Sequence, residues 1–277
     1  MSTSPSGDSL GAALNIHDAV AQNKRRTNIL IVAFILLIAG VVAAMGALLT
    51  YDVLATSIFT GVGVAVAVFI ALLAYRASDK IVLSISGAKE VQRSEYPDLV
   101  RTVENMAIAS GLPMPKVYVI EDSAPNAFAT GRDPAHASVA ITTGLLEKLD
   151  KLELEGVMAH EMSHIQNLDT RLMVVTAVLV GFIALLADVM LRLTWFGAGH
   201  RGRNSKSGGG AAQIIVLVIA IVAIILAPIA AKLIQLAISR QREHLADASG
   251  ALLTRYPEGL ASALEKMEAD TEPLEVA

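Results

Sequence analysis

Residues 157–165 read VMAHEMSHI and carry the densest group of reactive side chains in the chain. His160 and His164 are four positions apart, so on a helix both imidazoles project from the same face. Glu161 directly follows the first histidine. Because the flanking residues are apolar, we predict a largely buried helix whose two rings and carboxylate need polar partners or a metal ion. The pattern therefore indicates a metal site.

An H-E-x-x-H helix provides two of the three protein ligands that hold a catalytic zinc ion, and the fourth position is left for water. Zinc polarises a scissile carbonyl and lowers the pKa of its water towards about 7. We assign Glu161 as the general base that takes the proton of this water and passes it to the leaving amine. The alternative is an ordinary exposed helix face that carries polar residues, and the apolar neighbours argue against it.

The third ligand must come from elsewhere, and the other histidines and the acidic residues are the candidates. Glu243 stands out in EHLAD (243–247), because this segment is predicted to be helical and follows an apolar block. Asp247, one turn further on, can accept the N–H of a ligating histidine and fix its ring. His244 points about 100° away from Glu243 on a helix, so we interpret it as a bystander. An ordinary solvated helix face remains the alternative for this segment.

The composition indicates a membrane protein. Of the 277 residues, 54% are hydrophobic and 17% are charged, whereas about 25% of the residues in a soluble domain are charged. The net charge of −4 gives no reason to expect a nucleic-acid partner. The chain has no cysteine, which excludes disulfide bonds and thiolate metal ligands.

Four apolar blocks reach the roughly 20 residues that a helix needs to cross a bilayer, and they cover residues 28–50, 54–75, 172–195 and 212–238. The first two lack charge, whereas the third contains Asp188 and Arg192 and the fourth contains Lys232. Basic residues before the first block and at Arg76 place the N-terminus and the segment after the second block in the cytoplasm. We favour four crossings. A hairpin over 172–238 that packs in or on the bilayer without crossing stays open, because its basic loop would otherwise lie outside.

The patterns of the remaining residues predict the soluble part. They favour a helix over 96–112, three short strands at 116–120, 126–131 and 137–144, and a helix that runs from Leu145 through the HEMSH motif into the third apolar block. If the third and fourth blocks are antiparallel neighbours, both metal-binding motifs lie on one side of the bilayer, just clear of the lipid.

These observations predict an α-helical integral membrane protein of α+β character. It has four apolar helices and a mainly helical, zincin-like metalloprotease domain with a small antiparallel β-sheet. The predicted segments are a disordered cytoplasmic N-terminus (1–27), two transmembrane helices (28–75), a cytoplasmic protease region with the HEMSH helix (76–171), a transmembrane or membrane-associated hairpin (172–238), and a cytoplasmic region with the third ligand (239–277).

NAFATG (126–131), HEMSH and EHLAD, in this order, resemble the HtpX-type membrane zinc proteases, which are relatives of the CAAX prenyl endopeptidases. The resemblance covers roughly residues 28–270. It implies one zinc ion per chain, with Glu161 as general base and with the ligands His160, His164 and Glu243. It also implies that a substrate backbone lies along the edge of the NAFATG strand, with the substrate-binding residues Asn126, Ala127, Phe128 and Ala129. A purely structural edge strand is the alternative for this segment.

The function implied by the resemblance is endoproteolysis of misfolded or damaged membrane proteins. It would take place at the cytoplasmic face of the cell membrane, in membrane protein quality control and stress response. The partners would be protein substrates and the lipid bilayer, without nucleic acid. Family members usually carry a His-Pro-Pro element beyond the region that corresponds to Ala277, and this sequence does not contain it. The chain is therefore either truncated or lacks this contact, and the oxyanion-stabilising residue is not assigned. Arg240, Arg242 and His136 are candidates for this role, but we interpret the two arginines as membrane-surface anchors and His136 as a loop histidine.

Three other functions compete with this interpretation. A catalytically silent membrane scaffold of the same fold should have lost Glu161 or a ligand, and here all four residues are present. A transporter would carry ionisable groups within several spans, yet the first two apolar blocks have none. A small-molecule zinc hydrolase would not need the substrate-binding strand edge.

Overall fold

The computed structural model describes residues 7–50, 52–199, 232 and 240–270. In chain order its elements are α1 (Gly7–Thr50), α2 (Val53–Ile85), β1 (Lys89–Glu90), α3 (Pro97–Ser110), β2 (Lys116–Ile120), β3 (Ala127–Gly131), a 3-10 turn (Pro134–His136), β4 (Ala137–Thr142), α4 (Thr143–Lys148), α5 (Lys151–Gln166), α6 (Asp169–Gly199), α7 (Arg240–Thr254) and α8 (Pro257–Glu268). The chain forms two compact units. The first contains residues 1–27, 75–174 and 239–277, and the second contains residues 28–74 and 175–238.

Helix α3 forms where its local sequence signals predict it. Pro97 lies in the first turn, where its missing N–H costs nothing. Gly111 ends the helix with φ 69°, a left-handed conformation that suits glycine. The side chains on one face of the helix are buried in the core, namely Leu99, Val103 and Met106. The predicted helix in this region is confirmed.

The strands form one four-stranded sheet in the order β1-β2-β4-β3. β4 pairs antiparallel with β3 and parallel with β2. The prediction of an antiparallel sheet is therefore wrong for the β2–β4 pair. β3 and β4 form an antiparallel hairpin, whereas β2 pairs with the opposite edge of β4 and runs in the same direction as β4. This arrangement leaves β3 as an edge strand, with only one side paired in the sheet.

Helix α5 lies at the centre of the first unit. It contacts α3, β3, α7 and α8, and most of its side chains are buried. Val157, Met158 and Met162 join apolar residues of α3, β2, β4 and α8 in a single core. The motif residues Glu161 and His164 are buried on the same helix. The prediction of a buried HEMSH helix is confirmed.

The helix predicted to run unbroken from Leu145 is interrupted twice, so that prediction is wrong. The first break comes before Asp150, whose carboxylate accepts from the N–H of Glu153 at 2.9 Å, while the Glu153 carboxylate accepts from the N–H of Asp150 at 2.8 Å. This capping box starts α5. The second break lies at Leu168, which has φ 58°. A left-handed residue ends a helix, so α6 begins separately at Asp169.

The second unit has the surface of helices that face lipid. Each of its helices has a narrow buried stripe, with Leu30, Phe34 and Ile38 on α1, Ala67, Ala71 and Ala74 on α2, and Leu179 and Ile183 on α6. Many other apolar side chains are exposed, and Leu36 is 67% and Phe69 is 62% exposed. Exposed apolar side chains around a narrow packed stripe are typical of membrane helices.

Two stretches of the described chain, His17–Ala43 and Val53–Ala77, have the length and hydropathy of membrane spans. Helix α5 together with residues 169–185 would be a third if this bent pair counts as one span. The first two of the four predicted spans are thus supported. The predicted helix at 172–195 falls within α6, whereas 212–238 lies outside the described residues except for Lys232.

The N-terminal segment departs from the predicted disorder. α1 begins at Gly7, and the side chains of Asn23 and Thr27 are 2% and 0% exposed. Buried polar groups are normally hydrogen-bonded. Asn23 finds its partners at Asn167 and Asp169, just beyond the C-terminus of α5.

Candidate metal centre

Three side chains converge between α5 and α7. His160 and His164 lie one turn apart on α5, with their Nε2 atoms 3.1 Å apart and their ring planes at 86°. Glu243 of α7 places Oε2 3.7 Å from Nε2 of His160 and 3.5 Å from Nε2 of His164. The two helices approach closely, because a Cβ on Gly250 would lie 3.1 Å from the backbone nitrogen of His160. This packing brings together ligands that are distant in sequence.

The three atoms fit a small divalent cation. With zinc–ligand bonds of about 2.0–2.2 Å, the ligand atoms of a tetrahedral site are roughly 3.3–3.6 Å apart. The observed separations of 3.1, 3.5 and 3.7 Å are close to these values. Two Nε2 atoms that face each other at this distance cannot both carry a proton, and a shared cation removes this conflict. Two imidazoles and one glutamate also form a known catalytic zinc set.

The electrostatics of the site favour positive charge. Burial alone would lower the pKa of His164, but hydrogen bonds with Asp169 and Glu243 and the charge of Glu161 raise this pKa to about 10. The rings of His160 and His164, 3.7 and 3.5 Å from its Oε2 atom, hold the pKa of Glu243 far below its usual range. The first shift arises because carboxylates surround the His164 ring, and the second because two imidazole rings face the Glu243 carboxylate. The same negative field would attract a metal cation.

Glu161 has the environment of a base. It is 8% exposed, and burial raises its pKa above the ordinary value, although the charges of His164 and His160 oppose the shift. The nearby backbone N–H of Ala129 in β3 also opposes the shift. A carboxylate with a raised pKa takes up a proton more readily, which is what proton abstraction from water requires.

Each histidine has a carboxylate beside its Nδ1 atom. Asp247 places Oδ1 3.0 Å from Nδ1 of His160, although the contact is too poorly aligned to be a hydrogen bond. Asp169 places Oδ2 3.1 Å from Nδ1 of His164, as a hydrogen bond. Carboxylates at this position fix the orientation of the ring and direct Nε2 towards a metal.

Asp169 is the residue of the site that sequence reasoning misses. It lies five positions after His164, and an unbroken helix would place it on another face. The left-handed backbone of Leu168 turns the chain back towards the ring. Because leucine rarely adopts positive φ, the sequence contains no turn signal here. Its one hint is an acidic residue at the start of an apolar helix.

Other side chains near the motifs also depart from expectation. Arg242 was predicted to anchor at the membrane surface, and this is wrong, because it is 6% exposed and its Nε lies 3.6 Å from Oδ1 of Asp169. His244 is exposed and is absent from the metal cluster. His136 is also exposed and contacts Asp133 at 2.7 Å, which agrees with a loop histidine.

A cleft opens beside the three converging side chains. Strand β3 contributes Ala127, Phe128 and Ala129 to its lining, whereas Asn126 does not line it. Most of the other lining residues are apolar and come from α5, α6 and α8, namely Val157, Met173, Leu260, Leu264 and Met267. The cleft thus combines polar groups at the motif with an apolar wall that suits apolar side chains.

The backbone of β3 has a defined orientation in this cleft. The carbonyl of Asn126 accepts a hydrogen bond from the N–H of Thr142. Because an antiparallel ladder alternates, Phe128 bonds to β4 as well, and the backbone groups of Ala127 and Ala129 face the other edge. The backbone N–H of Ala129 influences the nearby Glu161 carboxylate, which agrees with this register.

The family model and the most similar sequences agree on one family. Residues 93–271 match the model described as peptidase family M48. The protein named Protease HtpX homolog from Thermoanaerobacter pseudethanolicus is 47% identical over 264 residues, covering 94% of this chain and 85% of that protein. The protein of the same name from Listeria monocytogenes serotype 4a is 44% identical, covering 94% and 86%. A crystal structure of Ste24p from S. mikatae has a TM-score of 0.48 and 22% identity, covering 74% of this chain and 50% of that one.

Proposed function

The chain belongs to peptidase family M48, and from this premise we propose that it is a membrane-bound zinc endopeptidase. Membership of this family identifies the chain as a metallopeptidase, and its long apolar helices indicate a membrane protein. The observation that carries the proposal is the convergence of His160, His164 and Glu243 beside the buried carboxylate of Glu161.

His160, His164 and Glu243 would hold the zinc ion, and Asp247 and Asp169 would orient the two rings. The bound ion supplies Lewis acidity that polarises the scissile carbonyl and makes water more acidic. Glu161 takes the proton from the attacking water and passes it to the leaving nitrogen. Its buried position supports this role, because a carboxylate held away from solvent is a stronger base.

The substrate would bind as an additional strand along the outer edge of β3. The backbone groups of Ala127 and Ala129 would then bond to the substrate backbone, and Phe128 would contribute to the lining of the cleft. Backbone pairing depends little on sequence, so selectivity would come from the apolar wall. Asn126 is a weaker candidate for substrate contact, because its backbone N–H and carbonyl both bond to Thr142.

The Glu161→Gln variant tests the catalytic assignment. We expect casein cleavage to fall by about 10²–10⁴-fold while the zinc content of the purified protein stays the same. Glu155→Gln on the same helix is the matched control, and it should keep full activity. The His160→Ala and Glu243→Ala variants should lose both the activity and the bound zinc. Equal cleavage by wild type and Glu161→Gln would refute the mechanism.

We also propose that the site faces the cytoplasm and that the natural substrates are misfolded or damaged proteins of the cell membrane. Basic residues next to the first two apolar blocks support this orientation. The chain contains no cysteine, so Ile108→Cys, at a position 73% exposed on α3, introduces a single thiol. An impermeant maleimide should label it in inverted vesicles and not in intact spheroplasts. The reverse pattern would place the site outside.

A further inference from the structure

A buried polar network leads from the metal centre to the N-terminal part of α1. Asp169 is 1% exposed; its Oδ2 contacts His164, and its Oδ1 accepts a hydrogen bond from Nδ2 of Asn23 at 2.7 Å. The same Nδ2 donates to the backbone carbonyl of Asn167 at 3.0 Å. Asn23 is itself 2% exposed, so both hydrogen bonds are shielded from water.

The contacts of Asn23 require a donor at this position. Its Nδ2 faces a carbonyl and a carboxylate, which only accept, and an amide has two N–H groups for these two acceptors. An aspartate would place a second negative charge beside Asp169. An apolar residue would leave buried acceptors without their partner, and such a loss is costly. The asparagine is therefore matched to the chemistry of Asp169 as well as to the packing of α1.

We propose that Asn23 is a positioning residue of the metal centre, which holds Asp169 so that His164 directs Nε2 at the metal. This inference rests on the proposed zinc peptidase function. Asn23 does not line the cleft, so it acts through Asp169 and the turn that carries it. Arg242, whose Nε lies 3.6 Å from Oδ1 of Asp169, adds a positive charge that stabilises the same carboxylate.

The backbone geometry explains why Asp169 needs this support. Asp169 directly follows Leu168, whose left-handed φ of 58° separates α5 from α6. By bonding to the carbonyl of Asn167 and to the side chain of Asp169, Asn23 ties together both sides of this turn. Without it, the carboxylate can rotate away from Nδ1 and release the ring. Loss of such an outer partner typically weakens metal affinity or activity by about 10–100-fold.

The test compares Asn23→Ala with Thr27→Val in the full-length chain purified in detergent. Thr27 is the matched control, because it is fully buried one turn further along α1 and its hydroxyl bonds to the backbone carbonyl of Asn23. Three experiments are made, which measure the rate of zinc loss to a chelator, the steady-state kinetics on casein (kcat and KM), and the visible spectrum of the Co²⁺-loaded protein.

We expect Asn23→Ala to lose zinc about 10–100 times faster, with a lower kcat, an unchanged KM and an altered Co²⁺ spectrum. Thr27→Val should stay within about twofold of wild type. Wild-type zinc retention and kcat in Asn23→Ala would overturn the inference. If that variant does not fold, Asn23→Ser is judged by the same measurements. Failure of both to fold would mean that Asn23 is only structural, and would also overturn it.

The same experiment separates this inference from the proposed function. A wild-type chain that neither retains zinc nor cleaves casein would reject the peptidase assignment itself. An active wild type with an equally active, zinc-retaining Asn23 variant would reject only the positioning role.

Discussion

Asp247 and Asp133 both contact a histidine Nδ1 atom, but only the Asp247–His160 pair lies at the candidate metal centre. Asp247 lies 3.0 Å from Nδ1 of His160, whereas Asp133 lies 2.7 Å from Nδ1 of His136 on an exposed turn. We expect Asp247→Asn to weaken zinc binding by about 10–100-fold, as measured by chelator competition. Asp133→Asn is the control and should change nothing. Equal effects of the two substitutions would show that Asp247 does not orient the ring.

Glu153 is a buried glutamate whose carboxyl pKa is lowered by its neighbours. Burial alone would raise the pKa, but hydrogen bonds with Lys266, Ser262 and the backbone of Asp150 lower it below 4.5. A lowered folded-state pKa means that the stabilisation is complete above the unfolded-state pKa and is lost as pH falls through the folded-state pKa.

We therefore expect Glu153→Gln to lower the free energy of unfolding by about 1.5–3 kcal/mol at pH 7. The difference from wild type should shrink as the pH falls below 4.5. Thermal melting in detergent at several pH values measures this difference. Glu104→Gln, which breaks an exposed contact with Arg93, should have little effect at any pH. A difference that grew on acidification would contradict the assignment.

The residues that could be predicted from sequence are those whose roles follow from helical spacing. His160, His164 and Glu161 share one turn of a helix, and Glu243 was proposed as the third ligand from its place after an apolar block. Asp169, Asn23 and Arg242 could not be predicted, because their positions depend on the turn at Leu168 and on the packing of α1. Such tertiary contacts leave no periodic pattern in the sequence.

At the scale of elements, the strands were predictable but their pairing was not. Alternating apolar residues and turn residues locate β2, β3 and β4 to within two residues at each end. The parallel contact of β2 with β4 depends on which side of the hairpin β2 joins, and local patterns do not encode this choice. The breaks on both sides of α5 were also missed, because helical periodicity continues across them.

The register of β3 leads to a prediction about two neighbouring residues. We expect Ala129→Pro to keep the fold, because an edge strand tolerates proline where its N–H faces away from the sheet. It should nevertheless cut casein cleavage by about 2–10-fold, since it removes an N–H that would bond to the substrate backbone, a hydrogen bond worth about 0.5–1.5 kcal/mol. Phe128→Pro is the contrast, because it removes a hydrogen bond to β4 and should destabilise the whole sheet. Melting curves of both variants measure their stability, and casein cleavage rates measure their activity. An unfolded Ala129→Pro protein would contradict the register.

At the scale of the whole molecule, both units expose apolar side chains, but we expect those of the second unit to face lipid and those of the first unit to face water. Val62 and Val66 on α2 are 59% and 46% exposed in a span of mean hydropathy 2.4. Ile108 on α3 and Leu252 on α7 are 73% and 66% exposed in the first unit. In that case, the free-energy cost of replacing an exposed apolar residue with lysine should be much higher in the second unit than in the first.

We therefore expect Val62→Lys/Val66→Lys to reduce the amount of chain that stays in carbonate-washed membranes, because each lysine near the centre of a span costs about 2.5–3.5 kcal/mol. The two positions lie on one face of α2, one turn apart, so a single partner helix or a local defect must accommodate both charges. Ile108→Lys/Leu252→Lys adds the same charge where water can solvate it, so the membrane fraction should not change. Equal retention of both double variants would mean that this face of α2 does not contact lipid. Equal loss of both would mean that the exposed apolar residues of the first unit also contribute to holding the chain in the membrane.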